Sequence, residues 1–165
     1  MGAVRHGDYI AKVRVIPTEQ TKNAITEKNI DLDSAEWPYR KGIIKEIAQK
    51  NLTFELQIQL CKNLKEMPVN DLTKEWSQEL SPFRTVAKIT IPKQTVPEDG
   101  NFEIMENLSF TPFRTIEENS PIGNLQRSRQ SAYVTSSTSR HELNHKKRKE
   151  PKNLEEAFSP EFYQF

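Results

Sequence analysis

Strict alternation of apolar and polar residues between positions 52 and 61 is the feature that most constrains the fold of this chain. Leucine, phenylalanine and isoleucine hold the even positions, while threonine, glutamate and glutamine hold the odd positions as far as Gln59. Because successive side chains of a strand point to opposite faces, the segment predicts a strand with one apolar and one polar face. The polar face is either solvated or lines a polar cavity inside a barrel.

Two further segments are typical of strands. Residues 8–16 alternate in the same way and end at Pro17, and residues 85–91 end at Pro92. Proline lacks the backbone N–H that a central strand needs, so each proline marks a boundary. The first of these strands is predicted to bury one face, formed by Tyr9, Ala11, Val13 and Val15, with Lys12 and Arg14 on the opposite face.

The segment between the first two predicted strands divides into a loop and a helix. Residues 18–32 are polar and predict a loop. Residues 34–50 predict a helix, because Asp33 can cap it and Glu36 follows three positions later, as in a capping box.

The second half of the chain is less regular. Residues 92–123 are rich in proline and glycine and predict an extended, wrapping arm. A helix follows over 124–143, opened by Asn124, and then a charged and finally aromatic tail over 145–165. Three strands are too few to close a barrel. We therefore expect an α+β fold: part of an antiparallel β-barrel, open at its edges, that either oligomerises or belongs to a larger fold.

The helix over 124–143 carries the chemically most suggestive pattern. Helical spacing places Arg129, Tyr133, Ser137 and Arg140 on one face. Cations beside a phenol favour its ionised form, and an ionised phenol is a hard anionic ligand for ferric iron. Tyrosine is one of the side chains that hold haem iron in proteins. The ordinary alternative is a tyrosine packed on an amphipathic helix beside solvated arginines.

The charge of the chain says little about its partners. The net charge is +1, so whole-chain electrostatics predict no particular partner. The run His145–Lys149 contains four adjacent cations, which is typical of a nuclear-import signal or a nucleic-acid patch. No aromatic residues interleave with these cations, so base stacking is not supported. A solvated tail is the simpler interpretation, and nucleic acid is not an expected partner.

Cysteine usage and the N-terminal segment bear on the compartment. Cys61 is the single cysteine, so no internal disulfide can form. At the end of a predicted strand it is expected to be a small core residue rather than a nucleophile. The N-terminal residues lack an apolar signal core, and no apolar run reaches membrane-spanning length. These features predict an intracellular protein without a secretory signal.

A series of motifs in a fixed order resembles the haem catalases, most closely the small catalase-related proteins. The motif Asp-Leu-Thr-Lys-Glu-Trp at 71–76 leads through Pro82 into the predicted strand at 85–91. The arm then contains Asn-Leu-Ser-Phe-Thr-Pro at 107–112, and Arg129-x-x-x-Tyr133 follows. The resemblance covers residues 7–144 and corresponds to the C-terminal, proximal portion of a catalase. It assigns barrel strands and a helix to 8–91, the wrapping arm to 92–123, and the proximal helix to 124–143.

The resemblance implies specific roles for four residues. Tyr133 would be the proximal ligand of the iron of haem b, and Arg129 would donate to its phenolate oxygen. Arg140 would pair with a haem propionate, and Phe110 would lie near the cofactor edge. The implied activity is that of a catalase or peroxidase acting on hydrogen peroxide or organic hydroperoxides.

The chain also departs from the family pattern. Catalases use a distal His and a distal Asn, and both precede the first predicted strand. His6, in Arg-His-Gly-Asp, does not match the distal motif and is expected to be exposed. We therefore expect no catalytic residue in this chain and poor catalase activity from it alone. The alternative is a degenerate catalase-like scaffold without haem, acting as an interaction module. A second copy or a complementing chain are the candidate protein partners.

Two smaller departures concern polar residues. Ser120 stands where the family motif has an arginine. His141 and His145 are spaced i, i+4, which can chelate a metal. No third ligand is evident and lysines flank the pair, so a solvated face is predicted.

Overall fold

The computed structural model describes residues 2–25, 37–95, 108–147, 152–153 and 155–156. The strands are β1 (Ala3–His6), β2 (Tyr9–Pro17), β3 (Leu52–Leu60), β4 (Arg84–Ile91) and β5 (Pro121–Ile122), and the helices are α1 (Glu19–Ala24), α2 (Pro38–Gln49) and α3 (Asn124–Leu143), with a 3₁₀ turn at Glu117–Asn119. All five strands form one antiparallel sheet in the order β4-β3-β2-β1-β5. This part of the chain contains no closed barrel. The fold is a mixed α and β structure built on an open sheet.

Each of the three predicted strands is confirmed. The predicted total of about three strands is wrong, because the sheet contains five. β1 turns into β2 through Gly7 and Asp8, with His6 opposite Tyr9. Gly7 has a φ of +61°, which suits a tight hairpin turn. β5 contains two residues and pairs with β1 at the sheet edge. Neither strand is long enough to produce an alternating pattern, so only the pairing itself reveals them.

The predicted loop at 18–32 is wrong in its first part, because α1 occupies Glu19–Ala24. Thr18 begins this helix, and its side-chain oxygen accepts the backbone N–H of Thr21 at 3.2 Å. The Thr21 hydroxyl donates to the carbonyl of Thr53 and accepts from its N–H, both at 2.8 Å. The two-way bond ties the short helix to β3, which supplies stability that six residues could not provide alone.

The described part of α2 begins after Trp37, which has a φ of +60° and makes no side-chain cap. Pro38 holds the first helical position, where its missing N–H is tolerated. The predicted cap at Asp33 and its partner Glu36 lie outside the described residues. The helix is tied to α1 by Lys50, which donates to the carbonyl of Ala24 and pairs with Glu46 at 2.8 Å.

The predicted arm at 92–123 ends in ordered structure. Residues 108–116 are irregular, but the 3₁₀ turn and β5 follow and join the sheet. The segment 96–107 lies outside the described residues. Of the tail predicted over 145–165, the described positions are 145–147, 152–153 and 155–156, so its aromatic end and two of its basic residues are not among them.

The polar face of the sheet packs against the segment that connects β3 to β4. We call this segment, residues 61–83, the strap. A core cluster of Ala3, Met67 and Trp76 lies on this face. Gln59 is only 2% exposed and donates to the backbone carbonyls of Trp76 and Ser81 at 3.0 and 2.8 Å. The alternating glutamines therefore form neither a solvated surface nor a barrel lining at this end of β3.

The opposite face is less well covered than the sequence predicts. Ala11, Leu52 and Ile58 are buried, but Tyr9 and Val15 are exposed. The prediction that Tyr9 and Val15 belong to a buried face is therefore wrong. Alternation assigns side chains to faces correctly, but it does not determine which face the rest of the chain covers.

Two aromatic residues of the strap make the polar face compatible with burial. The Lys12 ammonium lies 4.4 Å from the Trp76 ring centroid, and the Arg14 guanidinium lies 3.7 Å from that of Phe83. Such contacts let the aliphatic stems pack while each charge faces a π-system. Burial lowers the pKa of Lys12, and the nearby Glu75 carboxylate partly opposes that shift.

Candidate functional site

The helix predicted over 124–143 is confirmed as α3, and contacts distant in sequence hold its first turn. The helix begins at Asn124, as predicted, and the backbone N–H of Asn124 donates to the side-chain oxygen of Asn70 in the strap at 2.8 Å. Gln126 is buried and donates to the carbonyl of Ala3 in β1 at 3.3 Å. The strap and β1 together therefore fix where α3 begins and how it is rotated.

Gly123 joins β5 to α3, and replacing it with alanine should destabilise the protein by about 2 kcal/mol. Its φ is +93°, and an added Cβ would lie 2.7 Å from the Val69 side chain. Gly7→Ala is the matched control, because Gly7 also has a positive φ but nothing within 4 Å. Urea unfolding should show a smaller loss for Gly7→Ala. Equal losses would mean that the contact with Val69 is unimportant.

The inward face of α3 is polar. As predicted, Arg129, Tyr133, Ser137 and Arg140 share one face, and each of them is half-buried or buried. The buried residues of the helix are Gln126, Ser137 and His141, whereas Val134 and Leu143 are exposed. This arrangement is the reverse of an ordinary surface helix, whose apolar stripe faces the core. It indicates that the face was not formed by hydrophobic packing alone.

Arg129 and Tyr133 are in direct contact. The Nη2 of Arg129 donates to the phenol oxygen of Tyr133 at 2.8 Å, and the guanidinium carbon lies 5.3 Å from the ring centroid. The Nη1 of Arg129 donates to the side-chain oxygen of Gln126 at 3.1 Å. A chain of hydrogen bonds that links Ala3, Gln126, Arg129 and Tyr133 thus positions the phenol. Gln126 was not singled out by the sequence analysis, although its spacing of three from Arg129 is the signal that could have indicated it.

One donor of Arg140 has no acceptor among the described residues. The Nη2 of Arg140 donates to the carbonyl of Leu108, so the arm contacts the C-terminal half of α3 at this residue. Its Nε is buried and has no hydrogen-bond partner in the described parts of the chain. A buried unpaired donor is uncommon in native structures. Phe110, two residues beyond Leu108, is 64% exposed.

The histidines differ from the predicted arrangement. His141 is only 6% exposed, so the prediction of a solvated face is wrong for this residue. His145 is exposed and lies beyond the end of α3 with a φ of +51°, which removes it from the helical face of His141. The described residues contain no cluster of three or more potential metal ligands from His, Cys, Asp and Glu. His6 is exposed, as predicted.

Cys61 is a packing residue, as predicted. Its side chain is half-buried against the core cluster, with Sγ 3.5 Å from the carbonyl of Met67. Burial raises the pKa of the Cys61 thiol, and the backbone of Asn63 only partly opposes this effect. A raised pKa keeps the sulfur as a thiol, which is a poor nucleophile.

Comparison with known proteins identifies a similar fold. No protein-family model and no curated protein matches the sequence. The crystal structure of a fungal catalase is similar, with a TM-score of 0.62, 18% sequence identity, and coverage of 84% of this chain. The matched region is 30% of that catalase, so the chain spans less than a third of its length. Among the described helices, none combines the length and apolarity needed to cross a membrane. The fold of this chain is therefore similar to one part of a catalase.

Proposed function

We propose that α3 forms the proximal side of a haem site and that the chain is part of a catalase-like oxidoreductase acting on peroxides. The observation that carries the proposal is the 2.8 Å hydrogen bond from Arg129 to the phenol oxygen of Tyr133. The similarity in fold to a fungal catalase supports it, as does the order of the sequence motifs. In this proposal Tyr133 is the iron ligand.

The donor set of α3 fits haem b. A phenol oxygen that accepts one hydrogen bond retains a further lone pair, which can bind a metal. The half-buried guanidinium of Arg140 would pair with a propionate carboxylate through a charge-assisted hydrogen bond. Phe110, which is exposed in the arm two residues after Leu108, would border the cofactor. Haem, when bound, supplies the redox chemistry of the reaction.

Residues of the protein would hold and orient the ligand of the iron. Arg129 donates to the phenol oxygen of Tyr133 at 2.8 Å, which would hold that oxygen in place as the iron ligand. Gln126 restrains Arg129, so the donor is in place before haem binds.

Peroxide turnover by this chain alone is expected to be slow. The resemblance assigns neither the distal His nor the distal Asn of catalases to it. Positioned proton transfer typically contributes ~10²–10⁴-fold to such reactions. Turnover near the diffusion limit by the purified chain would contradict this expectation. The open edge of β4, which is exposed along nearly its whole length, supports a second copy or a complementing chain as partner.

The second candidate function is a catalase-like scaffold without haem that acts as an interaction module. The observation that favours it is the group of exposed apolar side chains on the sheet, which includes Val15, Val86 and Ile89. Exposed apolar surface of this kind marks many interaction sites. This candidate predicts no saturable haem binding.

The proposed function is tested by comparing ferric haem with haem dimethyl ester, whose propionates carry no charge. Arg140→Gln should weaken haem binding about tenfold, because one charge-assisted hydrogen bond is lost. The same substitution should leave binding of the dimethyl ester unchanged. Affinities would be measured by absorbance titration of the Soret band. The matched control is Arg127→Gln, an exposed arginine on the same helix.

The outcomes separate the two candidates. The haem site is supported if haem binds saturably and if Arg140→Gln weakens the binding of haem but not the binding of its dimethyl ester. An equal effect of Arg140→Gln on both compounds would contradict the assignment of Arg140 to a propionate. Absence of saturable binding by the unmodified protein would contradict the haem proposal and favour the scaffold.

A further inference from the structure

The sheet ends on one side in β4, and this edge faces solvent. Every residue from Arg84 to Thr90 is exposed, and Ile91 is half-buried. β4 pairs with β3 on its inner side, and no described strand pairs with it on its outer side. The outer side of an edge strand presents backbone N–H and C=O groups that can bind a further strand.

The opposite edge of the sheet is less suited to such pairing. It is formed by β5, which contains two residues and begins with Pro121, a residue without a backbone N–H. β4 pairs with β3 in unbroken register from Ala87 to Ile91, and the one irregularity of this pairing lies before Ala87. A strand in regular register presents its outward groups at even intervals. The segment Ala87–Ile91 is therefore the longer and more regular of the two edges.

The β4 edge is basic. Arg84 and Lys88 lie in the strand, Lys93 follows it, and residues 84–93 contain no carboxylate. Lys88 is opposite Glu55 of β3, whose carboxylate offsets that one charge. Among the residues that the structure describes, neither Arg84 nor Lys93 forms an ion pair. The edge therefore keeps a net positive charge after its neighbour in the sheet is taken into account.

A second copy of β4 is a poor occupant of this edge. Adjacent strands lie about 4.8 Å apart, which is shorter than the screening length of about 8 Å at physiological salt. Two paired copies would bring Arg84 and Lys88 of each strand close together with little screening. Lysines on edge strands are one means by which sheets avoid pairing with their own copies. The charge of β4 instead favours an acidic strand.

We propose that β4 binds an extended acidic segment of another chain, in which carboxylate and apolar side chains alternate. The backbone of this segment continues the sheet beyond β4. Its carboxylates lie beside Lys88 on the polar face, and its apolar side chains lie beside Ile89 on the other face, because Lys88 is opposite Glu55 and Ile89 is opposite Phe54. Ile89 is 40% exposed, so the partner covers apolar surface there. The contact requires no haem, so it stands independently of the proposed haem site.

Synthetic peptides test the proposal directly. A fluorescently labelled peptide of alternating valine and glutamate, as long as β4, should bind the purified protein saturably in fluorescence anisotropy. The same peptide with glutamine in place of glutamate should bind at least about tenfold more weakly, because it lacks the charges. A fully N-methylated glutamate peptide keeps every charge but has no backbone donor, and it should not bind.

Three results with these peptides would overturn the proposal. Absence of saturable binding by the glutamate peptide would exclude an acidic strand as the partner. Equal affinities for the glutamate and glutamine peptides would show that charge does not select the partner. Unchanged binding after N-methylation would show that the peptide does not add to the sheet as a strand.

Charge variants locate the contact. Arg84→Gln combined with Lys88→Gln should weaken binding of the glutamate peptide at least about tenfold, whereas Arg84→Lys combined with Lys88→Arg should retain it. Lys62→Gln combined with Lys65→Gln is the matched control, because both lysines are exposed on the strap. Circular dichroism checks that each variant keeps its sheet, and the peptide series needs no substitution at all. Unchanged affinity after removal of both β4 cations would contradict the assignment to this edge.

Sedimentation equilibrium separates the acidic partner from a second copy. A monomer that binds the glutamate peptide, or a dimer that the peptide dissociates, supports the proposal. A dimer to which the glutamate peptide does not bind would overturn it in favour of a second copy at this edge.

Discussion

The Tyr133→Phe protein is expected to bind ferric haem at least about 100-fold more weakly than the unmodified protein, because it loses the iron ligand itself. The substitution removes one oxygen and leaves the ring, so the packing of α3 should persist. The side chain is half-buried and its oxygen accepts the Arg129 hydrogen bond. A loss of affinity would therefore report ligation rather than unfolding.

Absorbance titration with ferric haem would measure this effect. The unmodified protein should show a Soret shift and a phenolate-to-iron charge-transfer band, and the band should be absent in Tyr133→Phe. Tyr39→Phe is the matched control, because Tyr39 is an exposed tyrosine on α2. Arg129→Gln should keep the band but weaken binding by about 10–100-fold, as expected for a residue that supports a ligand. An unchanged spectrum in Tyr133→Phe would refute Tyr133 as the ligand.

The Trp76→Ala protein is expected to be less stable by about 3–5 kcal/mol, as for other buried aromatic truncations. Trp76 is 1% exposed and belongs to the core cluster with Ala3 and Met67. Its indole N–H donates to the carbonyl of Pro68 at 2.9 Å, and the Lys12 ammonium lies over its ring. The substitution would leave a cavity, an unpaired carbonyl and a half-buried cation without its aromatic partner.

Urea unfolding followed by circular dichroism would measure the loss. Trp37→Ala is the matched control, because it removes the same side chain from an exposed position and should change stability by less than about 1 kcal/mol. Comparable losses in the two variants would show that the strap contributes little to the core. Destabilisation confined to Trp76→Ala would confirm that the strap and the polar face of the sheet form one packed unit.

The spacing of residues within short segments of the sequence determined a large part of the secondary structure. Alternation predicted β2, β3 and β4, because strand side chains repeat every two residues whatever lies around them. Helical spacing, which is equally local, predicted that Arg129 and Tyr133 share one face of α3. Their hydrogen bond was implied by the resemblance. The role of Tyr133 as an iron ligand stays a prediction, since it depends on a partner molecule and not on the helix.

Burial and the contacts across the chain were decided by tertiary structure. The sequence predicts that the apolar face is buried, but the strap covers the polar face. The backbone of the strap accepts a hydrogen bond from Gln59, and its Trp76 and Phe83 rings lie against Lys12 and Arg14. The cap of α3 comes from Asn70, fifty-four residues earlier. β5 exists because β1 lies beside it. Each of these features depends on segments that meet only after folding, so no periodicity along the chain records it, whereas the strands and the helix follow from spacing between near neighbours.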